Sequence, residues 1–223
     1  MSFEELYGLE TATVTVRPAL GSVGHVNIGP ETFYIKKYQS PGKKKLRFLF
    51  KSKARREFEN QLLFRRLGIN TPEIVLFRER GLIRRRAVLV TREIPRAATL
   101  LELLSAPPSA RPVVDFNGLT EKLADIVRRI HDSGFVHNDL RMRNILVQNG
   151  RLFLIDSPNG MVLRHVPFFL QHRKIKDLAL LFEDARRVCS APRMLRFFLL
   201  YARADRLEEK HKKIIRRILS YYG

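Results

Sequence analysis

From Gly134 the chain reads Gly134-Phe135-Val136-His137-Asn138-Asp139-Leu140-Arg141-Met142-Arg143-Asn144, then an apolar run, Asn149-Gly150, a second apolar run and Asp156. Phosphoryl transfer uses a carboxylate, an amide oxygen and a second carboxylate of this kind, because it needs positioning and charge neutralisation more than covalent catalysis. Asp139 would accept or orient the proton of an attacking hydroxyl. Asn144, five residues on, would bind one Mg²⁺ through its amide oxygen, and Asp156 would bind both metals through its carboxylate. Hard oxygen donors suit that ion. His137 reads as a residue that packs the loop rather than as a catalyst.

Several elements must bring these groups together. Ile145–Gln148 and Leu152–Ile155 read as two short strands around Asn149-Gly150, a strong signal for a tight hairpin, which would bring Asn144 and Asp156 close. Upstream, Leu119, Leu123, Ile126, Val127 and Ile130 form a helical stripe over Leu119–Ser133 that ends at Gly134 and feeds the chain into His137. Nearer the N-terminus, Thr11–Val16 reads as a strand, Pro18–Gly24 as a break, His25–Ile28 as resumed extended chain, and Thr32–Tyr38 as a third strand. That third strand carries Lys36 and Lys37. Side chains alternate along a strand, so only one can face inward to hold nucleotide phosphates; Lys36 is preferred, with Lys37 the alternative. Tyr34, two residues earlier, would crowd an adenine.

A helix follows over about 52–67, with Phe58, Leu62 and Leu63 on an apolar face. Glu57 is the natural partner for the strand lysine, the competing reading being a surface charge beside Arg55 and Arg56. Glu59 would face elsewhere. Thr71–Phe77 and Ala87–Thr91 read as strands joined by a basic turn over Arg78–Arg86, and Arg92-Glu93-Ile94-Pro95 falls where a hinge would lie. Ala98–Leu104 reads as a short helix. Gly21 and Gly24 are available to a phosphate-covering turn, but Gly21-Ser22-Val23-Gly24 is not G-x-G-x-x-G, and a plain turn competes.

Charge is the unusual bulk property. The 223-residue chain carries a formal charge of +20. Residues 36–86 hold 17 basic and 4 acidic side chains, net +13, and residues 186–217 hold 11 and 3, net +8, which leaves −1 for the remainder. Two basic zones flank a near-neutral middle, and an anionic partner is expected. Few aromatics interleave the basic runs, so stacking on single-stranded nucleic acid is not suggested. Hydrophobic residues make up 45%, enough for a sizeable core, and no run approaches a membrane span. The first residues are acidic rather than signal-like, and the single cysteine, Cys189, reads as a core residue in a reducing compartment.

Taken together, Tyr34-Ile35-Lys36-Lys37-Tyr38, Ala54-Arg55-Arg56-Glu57, Leu67-Gly68-Ile69-Asn70-Thr71-Pro72, Gly134–Asn144 and Leu154-Ile155-Asp156 resemble the eukaryotic-like kinase superfamily. Within it the chain looks most like the bacterial lipopolysaccharide core kinases, the heptose/Kdo group, over roughly residues 36–181. The resemblance implies an α+β, two-lobed protein-kinase-like fold, with a β-rich N-lobe containing one helix over residues 1–94 and a mostly helical C-lobe over residues 95–223. It implies ATP and Mg²⁺ as cofactors and a sugar hydroxyl of the lipid A–core as acceptor, at the cytoplasmic face of an anionic inner membrane. By the same resemblance Arg141 stands where protein kinases often keep a Lys near the transferred phosphate. Asn138 replaces the Arg of H-R-D, and Asp156-Ser157-Pro158 replaces D-F-G. Those departures disfavour a phosphorylation-switched protein kinase.

Asp177 either braces the catalytic loop or complements the start of a helix. Leu178–Tyr222 reads as helical throughout. Its last part is a basic amphipathic helix that lies either on an anionic membrane or against the large lobe. Two other functions compete with a core-sugar kinase: a small atypical protein kinase acting on nucleic-acid machinery, and a catalytically dead nucleotide- or RNA-binding module. Retention of Lys36, Asp139, Asn144 and Asp156 together argues against the last.

Overall fold

The structure is a computed structural model and describes residues 7–8, 15–17, 21–39, 51–81, 85–107, 109 and 114–221. The expected strand residues before 15, the break at 18–20 and most of the basic loop over 39–47 lie outside them. The N-terminal region is built on one antiparallel sheet of β1 (Thr15–Arg17), β2 (Gly21–Ile28), β3 (Glu31–Gln39), β4 (Ile74–Arg80) and β5 (Arg86–Arg92), ordered β1-β2-β3-β5-β4. Alternation on β3 and β5 turns Phe33, Ile35, Val88 and Val90 into one small core. Lys36, registered between Val23 and Leu89, takes the opposite face.

Two boundaries differ from the sequence reading. β2 begins at Gly21 rather than His25, so Gly21 and Gly24 are strand residues and not a plain turn. Gly21 has φ +107, and a Cβ there would stand 1.7 Å from the Lys37 carbonyl oxygen, so this close strand approach requires glycine. The basic turn over Arg78–Arg86 is also shorter than expected, since Arg78–Arg80 extend β4 and Arg86 starts β5.

Helix α1 (Lys53–Arg66) begins where Ser52 Oγ accepts from the Arg55 amide. Its fully buried face is not the expected Phe58–Leu62–Leu63 stripe. It is Ala54, Glu57, Asn60, Gln61 and Phe64, while Phe58 stacks half-buried on Phe77 of β4. Glu57 and Asn60 are buried against partners described below, whereas the buried Gln61 Oε1 has no hydrogen-bond partner among the described residues.

The C-terminal part is mostly helical. β6 (Ala98–Thr99) pairs with β8 (Ile145–Gln148), so the expected helix over 98–104 starts later, as α2 (Leu100–Ser105), behind a Thr99/Glu102 capping box. α3 (Phe116–Asp132) buries Leu119, Leu123, Ile126, Val127 and Ile130, the expected stripe. It leads through β7 (Phe135–Val136) to a 3₁₀ turn at Met142–Asn144, then β8 and β9 (Arg151–Leu154). The β8–β9 turn has Asn149 and Gly150 at φ 48 and 70, the two positive values that a two-residue hairpin demands. β10 (Met161–Val162) pairs back onto β7.

The final segment is three helices rather than one helical run: α4 (Pro167–Val188), α5 (Ala191–Ala202) and α6 (Glu209–Leu219). Arg203 in the left-handed region, φ 52, ends α5. On α6, Ile218 is buried and Ile214 and Ile215 pack against the main core, while Lys212, Lys213, Arg216 and Arg217 face solvent. The apolar stripe of that basic helix is therefore spent on packing. α4 starts well before Asp177, so the helix-start reading of Asp177 is wrong: it sits mid-helix, far from the N-terminal peptide dipoles.

Candidate active site

Lys36 Nζ lies 2.7 Å from Glu57 Oε1 and pairs as well with the Asp156 carboxylate. Burial pulls the Lys36 ammonium down, yet the two carboxylates outweigh it, and its pKa is raised. Tyr38, on the same strand face, donates to the other oxygen of Glu57. Glu57 is 1% exposed, which a lone carboxylate would not tolerate; its surface-charge reading is excluded. Lys37 points to the other side, its ammonium 6.0 Å from the Tyr7 ring. Glu59 pairs with Lys51 at 2.7 Å, away from this cluster. Tyr34 donates to Glu93 at 3.4 Å, and burial with that neighbouring carboxylate pushes its phenol up.

One cavity is lined by Gly21, Ser22, Val23, Lys36, Lys37, Tyr38, Glu57, Asp139, Asp156, Pro158 and Asn159. The candidate base, the strand lysine and the candidate metal carboxylate therefore share a cleft. Gly21 lines it, while Gly24 is buried in β2 opposite Ile35. Asp156 adopts φ 55 at the end of the hairpin. The segment after it is pinned by Asn60 of α1, whose Nδ2 donates to the carbonyls of Ser157 at 2.7 Å and Gly160 at 3.2 Å.

Asn144 donates from Nδ2 to the Asp139 carbonyl at 2.9 Å and to Asp139 Oδ2 at 3.1 Å. Its Oδ1 is therefore the end turned away from Asp139. An amide oxygen plus the Asp156 carboxylate is a donor set that fits Mg²⁺, which takes only one or two protein oxygens beside phosphates and waters.

The loop itself is held from α4. Asp177, fully buried, accepts from the amides of His137 at 2.6 Å and Asn138 at 2.7 Å. It braces the loop. His131 joins the same carboxylate at 3.4 Å through Nε2 and meets Tyr201 Oη at 2.8 Å through Nδ1. Burial lowers the His131 pKa, against the opposing pull of Asp177. His137 is fully buried and stacked on Phe64, as a packing residue should be.

Asp184 and Glu183 were not singled out from the sequence. Asp184 accepts from the Met142 amide and from Arg141 Nη1, both at 2.9 Å, and Glu183 takes Arg141 Nη2 at 3.1 Å. Burial opposes the Arg141 charge, but these carboxylates raise its pKa. Arg141 Nε stays 3.7 Å from Asp139 Oδ1, so its guanidinium links the loop to α4 beside the candidate base. A usable signal existed: Asp184 lies seven residues after Asp177, two helical turns along the same face, beyond the apolar run Leu178–Phe182.

Comparison with known proteins bears on the fold and the family. A solved structure described as WaaP in complex with acyl carrier protein superposes with a TM-score of 0.73 at 22% identity, covering 99% of this chain and 92% of that one. At that identity the likeness concerns the fold. A probable bifunctional tRNA threonylcarbamoyladenosine biosynthesis protein of Methanosarcina acetivorans is 50% identical over 38 residues, 17% of this chain. The chain spans only 7% of that relative's length. The model of the lipopolysaccharide kinase (Kdo/WaaP) family matches residues 21–178, from the glycine that opens β2 to the residue after the loop-bracing aspartate. The chain belongs to that family and is a phosphotransferase of the kinase class.

Proposed function

We propose that this protein transfers the γ-phosphoryl group of ATP to a sugar hydroxyl, heptose or Kdo, of the lipopolysaccharide inner core. The observation that carries the reading is the single cleft shared by Lys36, Asp139 and Asp156. The acceptor oxygen bonds to the γ-phosphorus as the bond to the β–γ bridging oxygen breaks. The hydroxyl proton goes to Asp139, and ADP leaves. Lys36, kept cationic by Glu57, holds the α- and β-phosphates under the Gly21 strand. Asp156 and Asn144 Oδ1 are the donors that hold Mg²⁺, which supplies charge neutralisation when bound. Arg141, tied to Asp184 and Glu183, fixes the loop and adds positive charge beside Asp139. Residues 1–94 and 95–223 are the two lobes of this reading, and the basic surface suits work at the cytoplasmic face of an anionic membrane. Acyl carrier protein, the partner of the structural neighbour, is a second candidate partner here, checked by co-elution in gel filtration.

A small atypical protein kinase is the competing reading, and the test includes it. Radiolabelled ATP and Mg²⁺ are offered with dephosphorylated lipid A–core, with a protein mixture, and with no acceptor. Label in the core oligosaccharide, lost in Asp139→Ala, is the expected result. Transfer to protein alone would overturn the acceptor.

A further inference from the structure

Nine large hydrophobic residues stand exposed among the described residues, and four of them, Val162, Val166, Phe168 and Phe169, fall between 162 and 169. Phe168 is 82% exposed and Phe169 57%, their rings packed edge-to-face with each other, 6.0 Å between centroids. Such exposure is not the sign of a loose segment. Met161 and Val162 pair with Val136 and Phe135, and the Leu163 amide donates to the Gly134 carbonyl at 2.7 Å. Pro167 then starts α4 with a fixed φ. The two rings are held out on a rigid corner.

The charge around that corner is mostly of one sign, the Asp132 carboxylate that acts on Lys174 being an exception. From Ser157 to Lys176 there is no Asp or Glu, while Arg164, Arg173, Lys174 and Lys176 are present with His165 and His172. The end of α6 meets the corner: Tyr221 Oη is 3.3 Å from His172 Nε2. From Lys210 to Tyr221 there is again no acid, Arg216 and Arg217 are exposed, and Leu219 is 59% exposed.

We propose that this corner is a docking surface for an anionic phospholipid bilayer. Phe168 and Phe169 enter the boundary between headgroups and acyl chains, and Arg164, His165, Arg216 and Arg217 engage the lipid phosphates. An aromatic tip in a predominantly basic collar complements a surface that is apolar beneath and uniformly negative above. A folded protein partner, which offers both signs of charge, would be met by a mixed rim. Arg173, one turn after Phe169, donates to Asn138 Oδ1 at 3.3 Å, and Asn138 precedes Asp139. The bilayer would thus lie beside the candidate base. This surface rests on the membrane-face reading proposed above and does not depend on the identity of the acceptor.

The test uses the full chain without ATP or acceptor. It contains no tryptophan, so Phe168→Trp introduces a single reporter. Vesicles containing phosphatidylglycerol should shift its emission to the blue, and brominated acyl chains should quench it; vesicles of phosphatidylcholine alone should do much less. In flotation, Phe168→Ser/Phe169→Ser should lose about tenfold or more in partitioning to the anionic vesicles. Arg216→Glu/Arg217→Glu should weaken binding as well, and both variants should melt like the parent because the residues are exposed. Three results would overturn the proposal: unchanged flotation of the phenylalanine variant, no blue shift on anionic vesicles, or a blue shift only on adding acyl carrier protein.

Discussion

Lys36 and Asp139 face one cleft but are held by different means. Lys36 reaches Glu57 and Asp156 along a flexible side chain, from a sheet whose other face, among the described residues, packs Phe33, Ile35, Val88 and Val90 as a small buried cluster. Asp139 follows main chain whose amides at His137 and Asn138 are bonded to buried Asp177, above a core of 27 buried apolar residues among those described. Positioning through side-chain ion pairs can adjust when phosphates arrive, whereas positioning through main-chain bonds to a buried carboxylate cannot. In the proposed function, the lysine wall would adapt to the nucleotide and the loop wall would set the geometry of attack.

The largest effect expected is chemical. Asp139→Ala should lower phosphoryl transfer by roughly 10²–10⁴-fold, with the melting temperature within a few degrees of the parent. A comparable loss of stability would mean that Asp139 is structural and that the two walls are not divided as described. Calorimetry alongside a transfer assay reads both.

Next is the brace. Asp177→Ala leaves two buried amides and His131 without their acceptor, at a cost of about 3–5 kcal/mol. For a chain of this size that is a fall of roughly 10 °C in Tm. A loss under about 1 kcal/mol in denaturant titration would show that the loop does not depend on α4.

A double-mutant cycle of Lys36→Met and Glu57→Gln tests the opposite wall. Their coupling should be about 1–3 kcal/mol in stability. Nucleotide affinity, read by calorimetric titration, should fall more in Lys36→Met than in Glu57→Gln. Additive behaviour would dissolve the pair that the lysine wall depends on.

The smallest effect concerns pH. His131 is held neutral by burial, so its folded pKa lies below the ordinary 6.5. As pH falls through that value the unfolded chain binds a proton that the folded one resists, and stability is lost. His131→Asn should remove that part of the acid-side loss, measured by denaturant titration across the range. Lys36 behaves oppositely: its raised pKa contributes stability that is fully present below 10.5 and is lost only as pH rises through the higher folded value. Acid sensitivity near neutrality should therefore belong to the loop wall.

Much of this was legible in the residues themselves. The stripe from Leu119 to Ile130, the Asn149-Gly150 turn, and the spacings from Asp139 to Asn144 and Asp156 are local patterns, and local patterns declare themselves through helical period, positive-φ preference and residue type. α1 was misread because its buried face is polar. Glu57 and Asn60 are buried against Lys36 and Ser157, partners 21 residues before and 97 residues after them in the chain, and period alone favoured the apolar Phe58 and Leu62. Asp177 had two readings until the start of α4 at Pro167 removed one of them.

The sequence by itself determined the chemistry available: which carboxylates, which amide, which lysines, and the net positive charge. Tertiary structure decided which of them meet. Lys36 rather than Lys37 joins Glu57 because strand register and the placing of α1 fix the inward face. Asp184 holds Arg141 because α4 crosses beneath the loop. The apolar side of α6 is covered, while Phe168 and Phe169 are left in solvent. A side chain's type is written in one position, but its neighbours are set by how distant segments pack, and only the folded chain contains that information.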